Sequence, residues 1–313
     1  MKRSLAWALD ASLCTAMNLI QWNLRHTMHS SAELETYFKE CESLTREDYY
    51  AFPPMQGFRF TAKQICWETP IKDHYPENNQ ACAEWYGFQY NRPTLILLHA
   101  LMSAHGGGYR RLAKWLNQQG WNVLFPHLPC HYSRAPIGYW NGSLTMTSNL
   151  IRNALLIRQG VIEIRQLMAF LRQQGCKKFA LLGTSYGGWM GSLVSFLEPD
   201  LDFIALLQPI VNVEHAIAQS PAARAIRHIL AQKNIPSNIV RRHAHLSSPF
   251  HGTPFCNKKR IILATGMYDR ISPPSELHKL ADQWGTPPPL EAPQGHFGYI
   301  ALRMVKKHIT SFL

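Results

Sequence analysis

One short motif restricts how the chain around it can fold: residues 183 to 188 have the sequence Gly-Thr-Ser-Tyr-Gly-Gly. The motif stands between an apolar run of strand length and a helical pattern, and it matches Gly-x-Ser-x-Gly. A serine on such a turn projects its hydroxyl above the sheet, and the residues two positions before and after it have no room for side chains. Gly183 and Gly187 meet that requirement. We therefore predict a strand, a strained turn and a helix here, with Ser185 as a nucleophile.

Strand and helix patterns alternate along the chain after Pro93. Short apolar runs suit buried strands, and longer amphipathic stretches suit the helices between them. This alternation predicts an α/β fold, with a mostly parallel central sheet flanked by helices. The predicted strands are 94–99, 121–126, 178–182, 203–213, 261–265 and a short one near residue 289, and the predicted helices are 108–119, 144–174, 186–197, 275–284 and 297–313. A largely helical segment at about 214–246 interrupts the pattern, and we expect it to form a lid over the site.

We divide the chain into an N-terminal extension, residues 1–90, and an α/β domain, residues 91–313, that carries the lid. The extension is predicted to hold an amphipathic helix, a second helix and antiparallel edge strands that pack on the domain. Apolar residues of the first helix recur at helical spacing, namely Leu5, Leu9, Leu13, Met17, Ile20 and Leu24. We expect this stripe to pack on the domain body, and peripheral contact with an anionic membrane is the alternative. Because Asp10 interrupts the apolar start, no signal peptide is predicted, and no run reaches the about 18 apolar residues of a membrane span.

A serine hydroxyl becomes a strong nucleophile when a base lies within hydrogen-bond reach and a third group orients that base. With this motif the expected chain order is serine, then an acid, then histidine. Asp269 follows the predicted strand 261–265, and His296 lies on a loop before the last helix. Glu214 is the second candidate for the acid. We therefore predict that Ser185, Asp269 and His296 form a catalytic triad.

Acyl transfer also requires N–H donors directed at the oxygen that gains negative charge. The N–H of Tyr186, directly after the serine, is one predicted donor to this oxyanion hole. The other is the N–H of Leu101 or Met102, which follow the strand 94–99. A rival donor loop is the His-Gly-Gly-Gly sequence at 105–108, which matches a loop of some lipases and esterases. Its other interpretation is a flexible loop or the start of a helix.

Two further side chains are predicted to bind substrate. They are His99, at the end of its strand, and Arg134, whose guanidinium suits bidentate contact with an anionic group but equally suits a structural salt bridge. The nearby His127, Cys130 and His131 have metal-ligating side chains. Prolines on both sides prevent a helix from presenting both histidines on one face, and no carboxylate joins them. We therefore predict neither a metal nor another cofactor.

The formal net charge of +12 comes from scattered basic pairs rather than a stripe interleaved with aromatic residues. Nucleic-acid binding is therefore not predicted, and the expected partner is a small acyl ester or lipid. The seven cysteines include no Cys-x-x-Cys pair and no zinc-like spacing. We predict that they are reduced and mostly buried, as in a cytoplasmic protein.

The serine motif together with the later acid and histidine resembles the α/β-hydrolase superfamily over about residues 90–313. Within it, the chain resembles the alpha/beta hydrolase domain-containing protein 18 family at four places. These are the histidine that ends the first core strand, the Tyr-x-Arg-x-Pro loop at 132–136, the serine motif, and Asp269 followed by Gly295 and His296. The resemblance implies an α/β-hydrolase fold and a serine hydrolase acting on a lipid acyl ester. We accordingly predict hydrolysis of an acyl ester or thioester through an acyl-enzyme intermediate. The alternative is a non-catalytic ligand-binding or interaction protein of the same fold.

Overall fold

A computed structural model describes residues 1–87, 89 and 91–310 of the chain. The strands are β1 (Gln56–Phe60), β2 (Gln64–Glu68), β3 (Gln80–Tyr86), β4 (Thr94–Leu98), β5 (Asn122–His127), β6 (Phe179–Thr184), β7 (Leu201–Leu207), β8 (Ile261–Gly266) and β9 (Leu290–Ala292). The helices are α1 (Arg3–Asn23), α2 (Ser31–Glu42), α3 (Arg46–Tyr49), α4 (Gly107–Gln118), α5 (Leu150–Gln173), α6 (Tyr186–Ser195), α7 (Val213–Ala218), α8 (Arg224–Gln232), α9 (Ala244–Ser247), α10 (Pro274–Trp284) and α11 (Ile300–Ile309). Short 3-10 turns lie at Arg25–Thr27, Pro76–Asn79, Tyr132–Arg134, Ser143–Thr145, Pro221–Ala223, Ser237–His243, Pro249–His251 and Lys258–Arg260.

The strands form one sheet in the order β1-β2-β3-β5-β4-β6-β7-β8-β9. The pairings from β5 through β4 and β6 to β9 are parallel. At the other edge, β1, β2, β3 and β5 pair antiparallel. All five residues of β4 are buried, as expected for a parallel strand whose two faces are covered. The predicted α/β class, with a mostly parallel sheet and antiparallel edge strands, is confirmed.

Two apolar cores lie on opposite faces of this sheet. Alternate residues of β4 contribute to different cores: Ile96 belongs to the core that contains Leu193 of α6, and Leu97 to the core that contains Leu116 of α4. This alternation follows from the two-residue period of a strand. Helices therefore cover both faces and leave the carboxyl ends of the parallel strands to carry the loops of the candidate site.

Several elements, among them α5, α11 and β7, are shorter than their predicted ranges. Helix α11 begins later than predicted, at Ile300, whose N–H donates to Gln294 Oε1 at 2.6 Å. Strand β7 ends at Leu207 rather than continuing, because Gln208 takes a φ of 48° and leaves the extended conformation. The predicted end of the last helix, residues 311–313, lies outside the described residues.

Helix α1 packs on the body through a face other than the predicted one. Ala6, Asp10 and Cys14 are buried, whereas Leu5 and Leu9 of the predicted stripe are 60% and 39% exposed. Small side chains let the helix approach closely, and the buried carboxylate meets polar backbone groups. The prediction that the leucine stripe packs on the body is therefore wrong for its first part, because the buried side carries small and polar residues that apolar periodicity does not mark.

Two cysteines correct the prediction that all seven are reduced. Cys66 in β2 lies directly opposite Cys82 in β3, with their Cα atoms 4.1 Å apart, and the two form a disulfide. Register between antiparallel strands creates this pairing, which the spacing along the chain does not indicate. The remaining cysteines are free and buried, namely Cys14, Cys41, Cys130, Cys176 and Cys256. Cysteine usage therefore does not support the predicted cytoplasmic location.

The segment between β7 and β8 is largely helical, as predicted, and contains α7, α8 and α9. Helix α8 and the 3-10 turn Pro221–Ala223 contact α1. A small apolar cluster joins Cys14 of α1, Ala222 of this segment and Phe297, next to the candidate catalytic histidine. The lid segment and the N-terminal helix therefore meet beside the candidate site. In the described part of the chain, no helix combines the length and the apolar character needed to cross a membrane.

Candidate active site

Ser185 lies on the predicted turn between β6 and α6, with φ 51° and ψ −110°. A positive φ is uncommon for a residue with a Cβ atom and persists only where surrounding contacts enforce it. Here the Ser185 N–H donates to Leu207 O at 2.8 Å, and Trp189 N–H donates to Ser185 O at 2.9 Å. The strained turn is thus held by the neighbouring strand on one side and by the first turn of the helix on the other.

The glycines on both sides of the serine are required by backbone contacts. A Cβ atom on Gly183 would lie 2.5 Å from Gly187 O, as the motif predicted. A Cβ atom on Gly187 would lie 2.5 Å from His99 O at the end of β4. The second glycine is therefore required by the neighbouring strand, which the sequence argument did not identify.

The structure brings the three predicted triad residues together from three strand ends. Ser185 Oγ lies 2.8 Å from His296 Nε2, and His296 Nδ1 lies 2.7 Å from Asp269 Oδ2. All three residues are buried. Since a carboxylate can only accept, His296 donates through Nδ1, and its Nε2 is the acceptor that faces the serine hydroxyl.

The environment of His296 favours its charged form. Burial lowers the pKa of the imidazole, but the charge and hydrogen bond of Asp269, together with the charge of Asp10, outweigh burial and raise this pKa above 6.5. Asp269 is itself fixed, because its Oδ1 accepts from the N–H groups of Ile271 and Ser272 at 2.8 and 2.9 Å. The arrangement can therefore remove a proton from Ser185 and stabilise the resulting imidazolium.

Gln208 and Asp10 also contact this triad, and the sequence argument assigned neither of them to the site. Gln208 Nε2 donates to Asp269 Oδ2 at 3.2 Å and to Gly295 O at 2.7 Å. Asp10 Oδ2 accepts from the His296 N–H at 2.9 Å. No local signal indicated Gln208, which lay inside the predicted strand 203–213, whereas Asp10 was visible as a lone acid within an apolar helix.

The structure contradicts the prediction that the Met102 N–H is an oxyanion donor. Its N–H donates to His131 Nε2 at 3.1 Å. Burial lowers the pKa of His131 to about 4, so this imidazole stays neutral and accepts. Within the described residues the Leu101 N–H has no acceptor. Tyr186 is the first residue of α6, where helical N–H groups lack partners within the helix.

The rival His-Gly-Gly-Gly loop starts a helix. Gly107 is the first residue of α4, and its N–H donates to His105 Nδ1 at 3.3 Å. The exposed His105 side chain thus serves as a local helix cap. The interpretation of residues 105–108 as a helix start is the one that the structure supports.

The structure also contradicts substrate binding by His99 and Arg134. His99 is fully buried, and its Nε2 accepts from Leu128 N–H at 3.1 Å, which ties the ends of β4 and β5 together. Arg134 is 1% exposed and forms a bidentate ion pair with Glu163, with Nη2 2.8 Å from Oε1. Its guanidinium also donates to two backbone carbonyls. Both side chains therefore support the loops beside the site. A position at a strand end or in the loop after it does not determine which way a side chain points.

Glu214, the second candidate for the acid, lies on α7, and Arg241 Nε donates to its Oε2 at 2.6 Å. It takes no part in orienting His296. The two histidines considered as metal ligands also point to separate partners, since His127 Nε2 contacts a glutamate, whereas His131 bonds backbone groups. Among the residues that the structure describes, no group of three or more histidine, cysteine, aspartate or glutamate side chains is placed to hold a metal ion.

No protein-family model matches the chain. Two proteins from Mycobacterium tuberculosis, both described as uncharacterized, are similar: MT2702 (strain CDC 1551 / Oshkosh) and Rv2627c (strain ATCC 25618 / H37Rv). Each is 26% identical over 252 residues, which cover 76% of this chain. The match spans 58% of the length of these relatives.

Several solved structures share the architecture. An acetyl xylan esterase from Paenibacillus sp. R4 has a TM-score of 0.61 and 13% identity, over 91% of this chain and 95% of that one. Acetyl xylan esterase 1 from Thermoanaerobacterium sp. JW/SL YS485 has a TM-score of 0.56 and 14% identity, over 92% and 96%. The Pyrococcus furiosus esterase Pf2001 has a TM-score of 0.52 and 16% identity, over 84% and 98%. These likenesses show that the chain has the α/β-hydrolase fold. They do not support the finer resemblance to the alpha/beta hydrolase domain-containing protein 18 family.

Proposed function

We propose that the protein is a serine hydrolase that cleaves an acyl ester or thioester through an acyl-enzyme intermediate. The observation that carries this proposal is the continuous hydrogen-bond chain from Ser185 Oγ through His296 to Asp269, at 2.8 and 2.7 Å. A binding pocket has no use for a nucleophile, a base and an orienting acid in this order. Catalysis therefore explains the site better than ligand binding alone.

In the proposed reaction, Ser185 Oγ attacks the acyl carbonyl carbon while His296 Nε2 takes the hydroxyl proton. The imidazolium then returns this proton to the leaving alcohol or thiol as the acyl-enzyme forms. Asp269 keeps the imidazole in the required tautomer and stabilises its charge. A water molecule, deprotonated by His296, then attacks the acyl carbon. The bond to Ser185 Oγ breaks, and the imidazolium returns its proton to this oxygen as the acid leaves. The raised pKa of His296 helps it hold the proton between these steps.

The N–H groups of Tyr186 and Leu101 are the proposed oxyanion donors. Support comes from the position of Tyr186 at the start of α6 and from the unpaired Leu101 N–H within the described residues. Each donor of this kind contributes about 3 to 4 kcal/mol of transition-state stabilisation. Met102 is left out because its N–H already has a partner.

Carboxylic esters are the proposed substrates because they are more readily cleaved than amides, and the three structural neighbours are named as esterases. The test is labelling of the purified protein with a fluorophosphonate probe, alongside hydrolysis of p-nitrophenyl esters of increasing chain length. We expect labelling and turnover in the wild type and neither in Ser185→Ala. Unlabelled wild type, or equal labelling of both proteins, would contradict the proposal. Binding of the esters without turnover would favour the non-catalytic alternative.

We also propose that the exposed side of α1 contacts an anionic membrane surface. Leu5 and Leu19 on this side are 60% and 62% exposed. Lys2 and Arg3 precede them, and Asp10, the only acid among residues 1–32, is buried. Apolar burial combined with attraction to anionic lipids is the way in which such helices bind membranes.

The membrane proposal is tested by co-sedimentation with phosphatidylcholine vesicles that contain phosphatidylglycerol. We expect binding that weakens with salt and that is lost when Leu5 and Leu19 are both changed to serine. Pure phosphatidylcholine vesicles are the matched control and should bind less. No binding to the anionic vesicles, or unchanged binding of the double variant, would contradict this contact.

A further inference from the structure

The backbone that carries His296 is held by a carboxylate from the other end of the chain. Asp10 lies on α1 and is 2% exposed. Its Oδ2 accepts from the His296 N–H at 2.9 Å, and its Oδ1 accepts from the Phe297 N–H at 3.3 Å. The carboxylate therefore uses both oxygens on two consecutive N–H groups, one of them belonging to the candidate base. Hydrogen bonds to an ionised acceptor are among the stronger ones in proteins.

The neighbouring glycine fits this contact closely. A Cβ atom on Gly295 would lie 2.5 Å from Asp10 Oδ2. The carboxylate thus occupies the space where a side chain at position 295 would stand. On the other side, Gly295 O accepts from Gln208 Nε2 at 2.7 Å. The loop is therefore fixed between an acid from the N-terminal helix and an amide from the end of β7.

This loop depends on such outside contacts for its position. It follows β9, which is only three residues long, and precedes α11, which begins at Ile300. His296 must nevertheless keep its Nε2 within hydrogen-bond reach of Ser185, at 2.8 Å. A displacement of about 1 Å at a catalytic group can lower a rate by about 100-fold. A contact that fixes the backbone of His296 therefore acts directly on the distance between its Nε2 and Ser185 Oγ.

We propose that Asp10 is a positioning residue for hydrolysis, which makes the N-terminal helix part of the catalytic apparatus. The carboxylate fixes the backbone of residues 296 and 297 and thereby aims the imidazole at Ser185. This inference rests on the proposed serine hydrolase function. This role of α1 is separate from the proposed membrane contact of its exposed apolar side, because Asp10 lies on the opposite, buried side of the helix.

Asp10 also acts on the charge of the site. Burial raises the pKa of Asp10 and the charge of Asp269 adds to this, while its two backbone hydrogen bonds and the charge of His296 favour the ionised form. In return, the negative charge of Asp10 contributes to the raised pKa of His296. The neighbouring Cys14 thiol stays neutral, because burial together with the charges of Asp10 and Asp269 raises its pKa to about 11 against the smaller opposing effects of Arg270 and Arg224. Removing the charge at position 10 should therefore lower the pKa of His296.

The test compares Asp10→Asn with Asn18→Ala. Asn18 is the matched control because it also ties α1 to the lid, through Pro221 O at 2.9 Å and Ala225 N–H at 2.7 Å, and its hydrogen bonds do not involve the histidine loop. In Asp10→Asn, one amide oxygen can still accept one N–H, but the new NH2 group faces the other. We expect kcat/KM to fall by about 10- to 100-fold, with a parallel fall in the rate of fluorophosphonate labelling. The acid limb of the kcat/KM profile should move to lower pH.

Asn18→Ala should lower Tm while keeping the wild-type pH profile and labelling rate. Wild-type kcat/KM with an unmoved acid limb in Asp10→Asn would overturn the inference. Equal loss of activity in both variants would also overturn it, because general loosening of α1 would then explain the effect. If Asp10→Asn does not fold, Gly295→Ala, which places a methyl group in the space of the carboxylate, should reproduce the loss, and full activity there would refute the role.

The effect of Asp10 on the histidine loop can also be measured without substrate turnover. Amide hydrogen exchange at residues 296 and 297 should be faster in Asp10→Asn than in wild type and unchanged in Asn18→Ala. Wild type that neither labels nor turns over esters would refute the proposed function whatever the exchange result. Active wild type with unchanged exchange in Asp10→Asn would refute the positioning role alone.

Discussion

Replacement of Asp269 by asparagine tests the orientation of the base. Asp269 Oδ1 accepts from the N–H groups of Ile271 and Ser272, so the oxygen of the new amide must remain on that side. The NH2 group then faces His296 Nδ1, where the carboxylate oxygen stood at 2.7 Å. It also faces the NH2 group of Gln208. Two donors cannot share one hydrogen bond, so His296 is driven to the tautomer that carries its proton on Nε2.

That tautomer directs a hydrogen at Ser185 Oγ and leaves no base for the hydroxyl. In well-studied enzymes with this triad, the same substitution lowers kcat by about 10,000-fold, which corresponds to about 5 kcal/mol of transition-state stabilisation. The assay is kcat on a short p-nitrophenyl ester near neutral pH, with the fluorophosphonate labelling rate as a second measure. Glu214→Gln is the matched control, because Glu214 pairs with Arg241, away from the triad, and it should keep wild-type activity.

A fall of less than about tenfold in Asp269→Asn, in a protein whose Ser185→Ala variant is inactive, would refute this reasoning. A large fall in Glu214→Gln would refute it as well, since Glu214 would then be the acid that orients the base.

Other expected outcomes concern the pH profile and two structural contacts. Because the pKa of His296 is raised above 6.5 and its neutral form is the base, kcat/KM should fall as pH drops through that raised value, and a limb centred below 6.5 would contradict the assignment. Arg134→Met leaves Glu163 buried and unpaired, so it should destabilise the fold by about 3 to 5 kcal/mol in urea unfolding. The KM of the folded fraction should not change, and a raised KM at wild-type stability would restore a substrate role for Arg134. Gly183→Ala puts a Cβ atom 2.5 Å from Gly187 O and should cost about 1 to 3 kcal/mol of stability and slow labelling of the serine.

The features that sequence could predict are those that depend on local pattern. Strand and helix periods, glycine spacing and the order of serine, acid and histidine all appear within short stretches of chain. In a parallel sheet the carboxyl ends of strands meet at one edge, so residues that directly follow strands are brought together. Ser185 follows β6, while Asp269 and His296 lie on the loops after β8 and β9, and their convergence could therefore be expected.

The direction of a side chain could not be predicted in the same way. His99 directly follows β4 and Arg134 lies in the 3-10 turn that follows β5, yet both turn into the body and bond buried partners. The N–H of Met102 was expected to face the substrate and is instead paired with His131. Each of these outcomes depends on a partner at least 29 residues away along the chain.

The amino-acid sequence by itself determined the α/β architecture and the three residues of the candidate triad, because periodicity and motif spacing act over short distances. Only the tertiary structure decided which side of α1 is buried, that Cys66 lies opposite Cys82, and that Asp10 supports the loop of His296. A polar side chain is stable in the interior only where it finds a hydrogen-bond partner, and that partner is known only once distant segments are packed together.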